Sequence, residues 1–252
     1  MITNQPLILN ITNSVTLNFV ANGLLSLGAS PVMSDDPEDA VELAKIANGI
    51  CINIGTISDH QMAIVRNILT IQDDKKIVLD PVGSGATSRR TNFSKEILSS
   101  GRIHLIRGNA SEISSLVEKS STTKGVDSTL ETTEILQQAL ALARKFNCII
   151  VVSGAIDIVT DGKKTAFVSN GSPSMPKLTG TGCLLTAFLT AIIADGIFDL
   201  NRIAEAVAYY GYLGEVSASA SHGMGEFQVR FLDSMSNIPF LNTKSKLRIE
   251  WK

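Results

Sequence analysis

Residues 76–90 read KIVLDPVGSGATSRR. An apolar, β-branched run ends in Asp80, and Pro81 with Gly83 and Gly85 turns the chain into a tight loop instead of prolonging the strand. The same short-strand signature occurs at ICINIG (50–55), RIHLI (102–106) and CIIVVS (148–153). Between these runs lie stretches of helical period. Residues 38–48 carry Ala40, Val41, Ala44 and Ala47, and residues 129–146 carry Ile135, Leu136, Ala139, Leu140, Ala143 and Phe146. Alternation of this kind predicts an α/β fold in which a mostly parallel central sheet is covered by helices on both faces. After Ser153 the rhythm changes. DIVTDGKKTAFVSNGS (157–172) sets Asp161-Gly162 between two apolar runs, which predicts a hairpin followed by a loop. Three helices, at about 182–195, 201–220 and 226–236, are expected to close the chain. The first of them carries Leu184, Leu185, Phe188, Leu189, Ile192 and Ile193 on one stripe. No repeat, linker or composition break divides the 252 residues, so 1–252 reads as a single domain.

With 44 % hydrophobic residues, the chain can bury one sizeable core. The formal charge is −2, from 22 basic and 24 acidic residues mixed along the chain, and it leaves no electrostatic footprint for nucleic acid or anionic lipid. Cys51, Cys148 and Cys183 are odd in number and far apart, without a C-x-x-C or a nearby histidine pair, so neither a disulfide framework nor a zinc site is indicated. Neither a secretory signal nor an apolar run of membrane-spanning length is present, which points to a cytoplasmic protein with a small-molecule ligand. No charged residue precedes Asp35, although the first 34 positions hold five asparagines. Such a segment is covered by another subunit, lines a neutral pocket, or is simply an uncharged outer helix.

Three stretches carry the chemistry. Asp80 closes a strand, and ligands in open parallel sheets bind at the carboxyl ends of strands, although Asp-Pro is also an ordinary turn device. In IRGNASEI (106–113), Arg107 follows a strand to the same edge, while Asn109 and Glu112 have the spacing of a helix cap. Capping alone would account for that pair. In company with Asp80 they offer an arginine for phosphate oxygens and two carboxylates for magnesium. Third, Thr179-Gly180-Thr181-Gly182 opens a helix, where backbone N–H groups and the helix dipole favour a phosphate. Cys183 in the first turn reads either as a small apolar residue or as a proton acceptor whose thiol pKa the dipole lowers from about 8.5. No G-x-x-x-x-G-K-[ST] or complete G-x-G-x-x-G is present, and His60, His104 and His222 read as structural.

TGTGCLLTA (179–187), DPVGSGAT (80–87), RGNASEI (107–113) and NFVANGLLSLGASPVM (18–33), with GEFQVRFLDSM (225–235), together resemble the hydroxyethylthiazole kinases of thiamin salvage, members of the ribokinase-like superfamily. The resemblance covers nearly the whole chain. It implies transfer of the γ-phosphoryl group of ATP to the primary alcohol of 4-methyl-5-(2-hydroxyethyl)thiazole, with Mg2+, in a homotrimer whose thiazole pockets are shared between subunits. By motif match it makes Cys183 the catalytic base, with Gly180, Thr181 and Gly182 around the transferred phosphate. It gives Arg107 and Ser153 to ATP, Asp80 and Glu112 to the metal and phosphate region, and Met33 together with Gly180 to the thiazole. Two departures stand out: Ser153 where threonine is common, and Ala155 where the family often has an acid. The rivals to this reading are a thiol-nucleophile enzyme such as an acyltransferase using Cys183, another ribokinase-like enzyme such as a hydroxymethylpyrimidine kinase or an ADP-dependent repair dehydratase, and a non-catalytic nucleotide sensor.

Overall fold

The computed structural model describes residues 2–117 and 128–252. Strand β1 (Leu7–Ile11) is followed by α1 (Leu17–Leu27), β2 (Ser30–Val32), α2 (Pro37–Ile46), β3 (Gly49–Asn53), α3 (Asp59–Leu69), β4 (Lys76–Asp80), α4 (Ser88–Ser99), β5 (Ile103–Asn109) and α5 (Ala110–Leu116). Then come α6 (Ser128–Phe146), β6 (Ile149–Ser153), β7 (Asp157–Thr160), β8 (Thr165–Val168), α7 (Thr181–Ala194), α8 (Leu200–Ser219), α9 (Met224–Asn237) and β9 (Ile249–Trp251). Among the described residues, nine strands form one sheet in the order β2-β1-β3-β4-β5-β6-β7-β8-β9. Pairings from β2 to β6 are parallel, and those from β6 to β9 are antiparallel.

Local chemistry accounts for most element ends. Asp36 caps α2 by accepting from the Glu38 and Asp39 amides, with Pro37 at the first helical position. Ser58 with Gln61, and Asn109 with Glu112, form reciprocal capping boxes on α3 and α5. The hairpin expected at Asp161-Gly162 joins β7 to β8. Apolar residues alternate to opposite faces of the sheet, producing two cores. Ile8, Cys51, Val78, Leu105 and Val151 join α1, α7, α8 and α9 on one face. Leu9, Ile50, Ile52, Ile77, Leu79, Ile106 and Ile150 join α2 to α6 on the other.

Three expectations need correction. The six apolar residues of 182–195 do not mark a one-sided stripe, because every residue from Leu184 to Ile193 on α7 is buried. This helix lies against β1, β3 and β4 and beneath α1 and α8, so it is wrapped on all sides. The chain does not close on three helices, since β9 follows them and pairs with β8 at the sheet edge. The uncharged amino-terminal segment also contains β1, an interior strand whose pattern is interrupted by Asn10, a buried residue that donates to the Ile8 carbonyl.

Parallel pairing fixes the position of the site. The chain runs from β1 outward to β2, then returns to β3 on the other side of β1. Strand order therefore reverses between β1 and β3, and a crevice opens at their carboxyl ends.

Candidate active site

Strand register brings the polar residues together. Asn53 lies opposite Asp80, the last residues of β3 and β4, and Asn109 lies opposite Ser153, the last residues of β5 and β6. Arg107 sits within β5, which runs to Asn109, three residues beyond the RIHLI signature. The loop after β1 adds Asn13 to the same edge.

Asp80 is fully buried. Its Oδ2 accepts from Asn53 Nδ2 at 2.8 Å and from Thr186 Oγ1, on α7, at 2.9 Å. Its Oδ1 has no hydrogen-bond partner among the described residues. Burial pushes the carboxyl up to about 7, opposed by the Arg107 charge and reinforced by Glu112. Glu112, nearly buried, accepts from the Asn109 amide at 2.9 Å and the Gly83 amide at 3.0 Å. The capping reading of Glu112 is therefore correct, and the same carboxylate also holds the loop after Asp80 and bears electrostatically on Asp80.

A polar relay joins Asp80 to the cysteine. Asn13 Nδ2 donates to Asn53 Oδ1 at 2.9 Å and to Cys183 Sγ at 3.4 Å, and Asn53 in turn donates to Asp80. Thr16 Oγ1 donates to Asn13 Oδ1 at 3.0 Å, which fixes the orientation of that amide. The expected lowering of the Cys183 pKa is overturned. Burial and the neighbouring Asp80 carboxylate raise it, and hydrogen bonds from Asn53, Thr16 and Asn13 only partly oppose them. The dipole argument applies to a thiol in water at a helix end, and this thiol is largely withdrawn from water.

The opening turn of α7 has the geometry of an anion site. Gly180 precedes the helix in the left-handed region, φ 97°, and no side chain caps the helix. A Cβ on Gly180 would lie 3.0 Å from Phe19 and Thr16 on the α1 side, so this turn is built around a bare backbone. Arg107 lies over the first turn: a Cβ on Gly182 would be 2.6 Å from its Nη1. Its Nη2 donates to Ser153 Oγ, and its Nε has no partner among the described residues. Tyr210 Oη donates to the Thr181 carbonyl at 2.6 Å and ties the turn to α8.

Beyond this turn opens a cavity of about 710 Å³. Arg107, Ser153, Thr179, Gly180, Thr181 and Gly182 line it. Ala155, Asp157, the 170–173 loop, Met175, Leu178, Val207 and Gly211 are also among its lining residues. Asp157, which accepts from the Gly154 amide at 2.8 Å, is pushed up to about 6 by burial. Met33 is not among these residues. It follows β2 and is partly buried against the α1 and α7 core. None of the histidines lines the cavity: His104 accepts from the Ile77 amide and, chiefly through burial, is lowered to about 4.

A sequence model of the "Hydroxyethylthiazole kinase family" matches residues 1–240. The chain belongs to this family. Among its relatives, the hydroxyethylthiazole kinase of Desulfotalea psychrophila is 41 % identical over 93 % of this chain and 87 % of its own. That of Desulfosudis oleivorans is 41 % identical over 97 % and 91 %. The solved hydroxyethylthiazole kinase of Pyrococcus horikoshii superposes with a TM-score of 0.88 at 34 % identity, covering 98 % of this chain and 94 % of that one. Pyridoxal kinase from Staphylococcus aureus superposes at 0.69 with 13 % identity, each chain covered to 99 %, and shares the fold. The protein is thus a kinase with a ribokinase-like α/β architecture. β9 lies beyond the part that the family model matches.

Sequence reasoning missed Asn13, Asn53, Thr186 and Asp157. Asn53 had a legible signal, because it ends an apolar strand as Asp80 does. Thr186 lies one helical turn beyond Cys183 and had none, since a threonine inside an apolar helix usually satisfies its own backbone.

Proposed function

We propose that this kinase moves the γ-phosphoryl group of ATP to the primary alcohol of 4-methyl-5-(2-hydroxyethyl)thiazole. One observation carries the reading: an uncapped helix start, Gly180 to Cys183, lies under the Arg107 guanidinium at the junction between a nucleotide-sized cavity and the Cys183–Asn13–Asn53–Asp80 relay. Phosphoryl transfer has a loose transition state with charge spread over equatorial oxygens, so positioned donors supply most of the acceleration. The Gly182 and Cys183 amides hold that charge, Arg107 neutralises the polyphosphate, and Ser153 fixes Arg107. The cavity takes the nucleoside. The alcohol approaches from the opposite side of the turn, beside Cys183, with Met33 and Gly180 toward the thiazole ring.

Magnesium fits the acidic end. Asp80 presents a buried carboxylate oxygen without a partner, and Glu112 adds charge beside it. Asp80 and Glu112 would hold the ion together with phosphate oxygens of the nucleotide, as one or two carboxylates commonly do for Mg2+. When bound, Mg2+ neutralises phosphate charge. Cys183 rests as a neutral thiol because its pKa is raised, so the proton acceptor is its thiolate form, the minor species at neutral pH, which takes the hydroxyl proton late, as the bond to phosphorus forms, and becomes the thiol.

We read residues 1–252 as one domain, on the support of a continuous sheet that uses strands from both ends of the chain. The homotrimer reading has support in Val15 and Leu25, which are 68 % and 59 % exposed on the uncharged segment. A cytoplasmic location agrees with three free cysteines and with the absence, among the described residues, of a helix long and apolar enough to cross a membrane. ATP consumption measured with hydroxyethylthiazole, hydroxymethylpyrimidine and ribose in parallel tests both reaction and substrate. Turnover with the thiazole alcohol alone is expected; turnover with hydroxymethylpyrimidine in preference, or with none of the three, overturns the reading.

A further inference from the structure

The stretch 169–173, of which residues 170–173 line the cavity, is irregular backbone, yet it is held from two sides. On α8, Glu215 Oε1 accepts from the Gly171 amide at 2.8 Å, from Asn170 Nδ2 at 3.3 Å and from Arg248 Nη2 at 2.5 Å. Arg248, in the segment that leads into β9, also donates from Nη2 to the Ser169 carbonyl at 2.7 Å, and its own amide donates to Asn170 Oδ1 at 2.7 Å. Asn170 is buried and returns a bond to the Lys246 carbonyl at 3.1 Å. Every polar atom of the Asn170 side chain is thereby engaged in fixing the wall to α8 and to the carboxyl-terminal segment.

Glu215 lies one helical turn after Gly211, so both face the wall. Gly211 lines the cavity, and a Cβ there would come within 2.4 Å of the Asn170 carbonyl. The helix thus offers a bare backbone against which the wall rests and, a turn later, a carboxylate that captures the amide of the next residue. Burial of Glu215 works against its ionisation, but the hydrogen bonds from Arg248 and Gly171 keep its carboxyl below the ordinary glutamate range. Neither Glu215 nor Arg248 lines the cavity. Their influence on a ligand passes through the 169–173 segment that they hold, by its backbone and the Asn170 side chain.

We propose that Glu215 and Arg248 are positioning residues for the nucleotide, and that the carboxyl-terminal segment leading into β9 is the strap that sets this wall. The inference rests on reading the cavity as the ATP site. Its consequence is selective: a displaced wall weakens nucleotide binding without touching the α7 turn, Cys183 or the thiazole side.

The test compares wild type, Glu215→Gln, Arg248→Met and the double variant, by steady-state kinetics in both substrates and by calorimetric titration with ADP. Each single variant is expected to raise KM for ATP and Kd for ADP about five- to twenty-fold, with kcat at saturating ATP and KM for the alcohol within about twofold. The double variant should lose little more than the worse single, because the pair acts as one unit. Arg248→Lys should recover part of the ADP affinity. Arg248 is half-exposed, so its replacement opens no core cavity and the clamp can be read even if Glu215→Gln accumulates poorly. Unchanged ADP affinity in Arg248→Met, or a fall in kcat with KM for ATP unaltered, overturns the proposal. Failure of wild type itself to bind ADP would instead overturn the nucleotide reading of the cavity.

Discussion

The substitution Asp80→Asn should abolish phosphoryl transfer yet make the metal-free protein relatively more stable as pH rises. Asp80 is fully buried, and its carboxyl is raised from 3.8 to about 7. Between these values the folded chain keeps a proton that the unfolded chain has released, so stability falls with rising pH until the folded group has ionised, and is level above that. At about 1.4 kcal/mol per pH unit, the whole swing is about 4 kcal/mol. The introduced carboxamide does not titrate. Its carbonyl can accept from Asn53 and Thr186 in place of Oδ2, and its NH2 group then occupies the position of the unpartnered Oδ1 at a constant cost of about 1–3 kcal/mol. The difference in unfolding free energy between variant and wild type should therefore move in favour of the variant by about 3–4 kcal/mol from pH 4.5 to pH 8.5, whatever that constant cost is. Urea unfolding of both proteins in chelator, followed across this range, measures the quantity directly. A gap that is flat within about 1 kcal/mol, a fraction of the expected change, would refute the claim that desolvation dominates at Asp80.

Other outcomes follow from the site. Cys183→Ala should slow transfer about 10²-fold, near the lower end of general-base effects because the resting thiol is neutral. Cys183→Asp should retain activity. Since the thiol is raised, wild-type kcat should climb through the mildly alkaline range, whereas the aspartate variant should lose its rate only on the acid side; superimposable pH profiles would remove Cys183 from the proton path. Gly180→Val should be worse than either, because it strains a φ of 97° and collides with Phe19 and Thr16, and single-turnover assays should find no product. Ser153→Ala frees Arg107 and should raise KM for ATP several-fold with kcat nearly unchanged, as read in initial-rate assays. The proposed homotrimer predicts that wild type sediments as a trimer and that Val15→Asp sediments as smaller species, with a higher KM for the alcohol and ADP still bound; a monomeric wild type or an unchanged profile in the variant would refute the proposed shared thiazole pocket.

Much of this site was legible because its parts are local. Asp80 at a strand end, the Asn109 and Glu112 capping pair and the Gly180-Thr181-Gly182 helix opening each depend on a few adjacent residues, whose backbone preferences are expressed wherever the segment lies. The alternation of 50–55, 76–80, 102–106 and 148–153 with helical stretches likewise decided a parallel sheet, since short covered strands need crossovers. β9 escaped because three residues, one partly buried and two exposed, carry no period. The stripe on α7 misled because apolar residues on one face do not show that the small residues and threonines on the other are buried too.

The sequence by itself thus determined the class of fold, the strand-end position of Asp80 and the glycine turn that opens α7, all properties of short contiguous segments. Only the tertiary structure decided that Asn13 reaches Cys183 across 170 residues, that Asn53 links it to Asp80, and that Glu215 and Arg248 hold the cavity wall. It also decided the direction in which Cys183 titrates. Burial and neighbouring charge depend on what the rest of the chain brings within a few ångströms, and no local pattern encodes that distance.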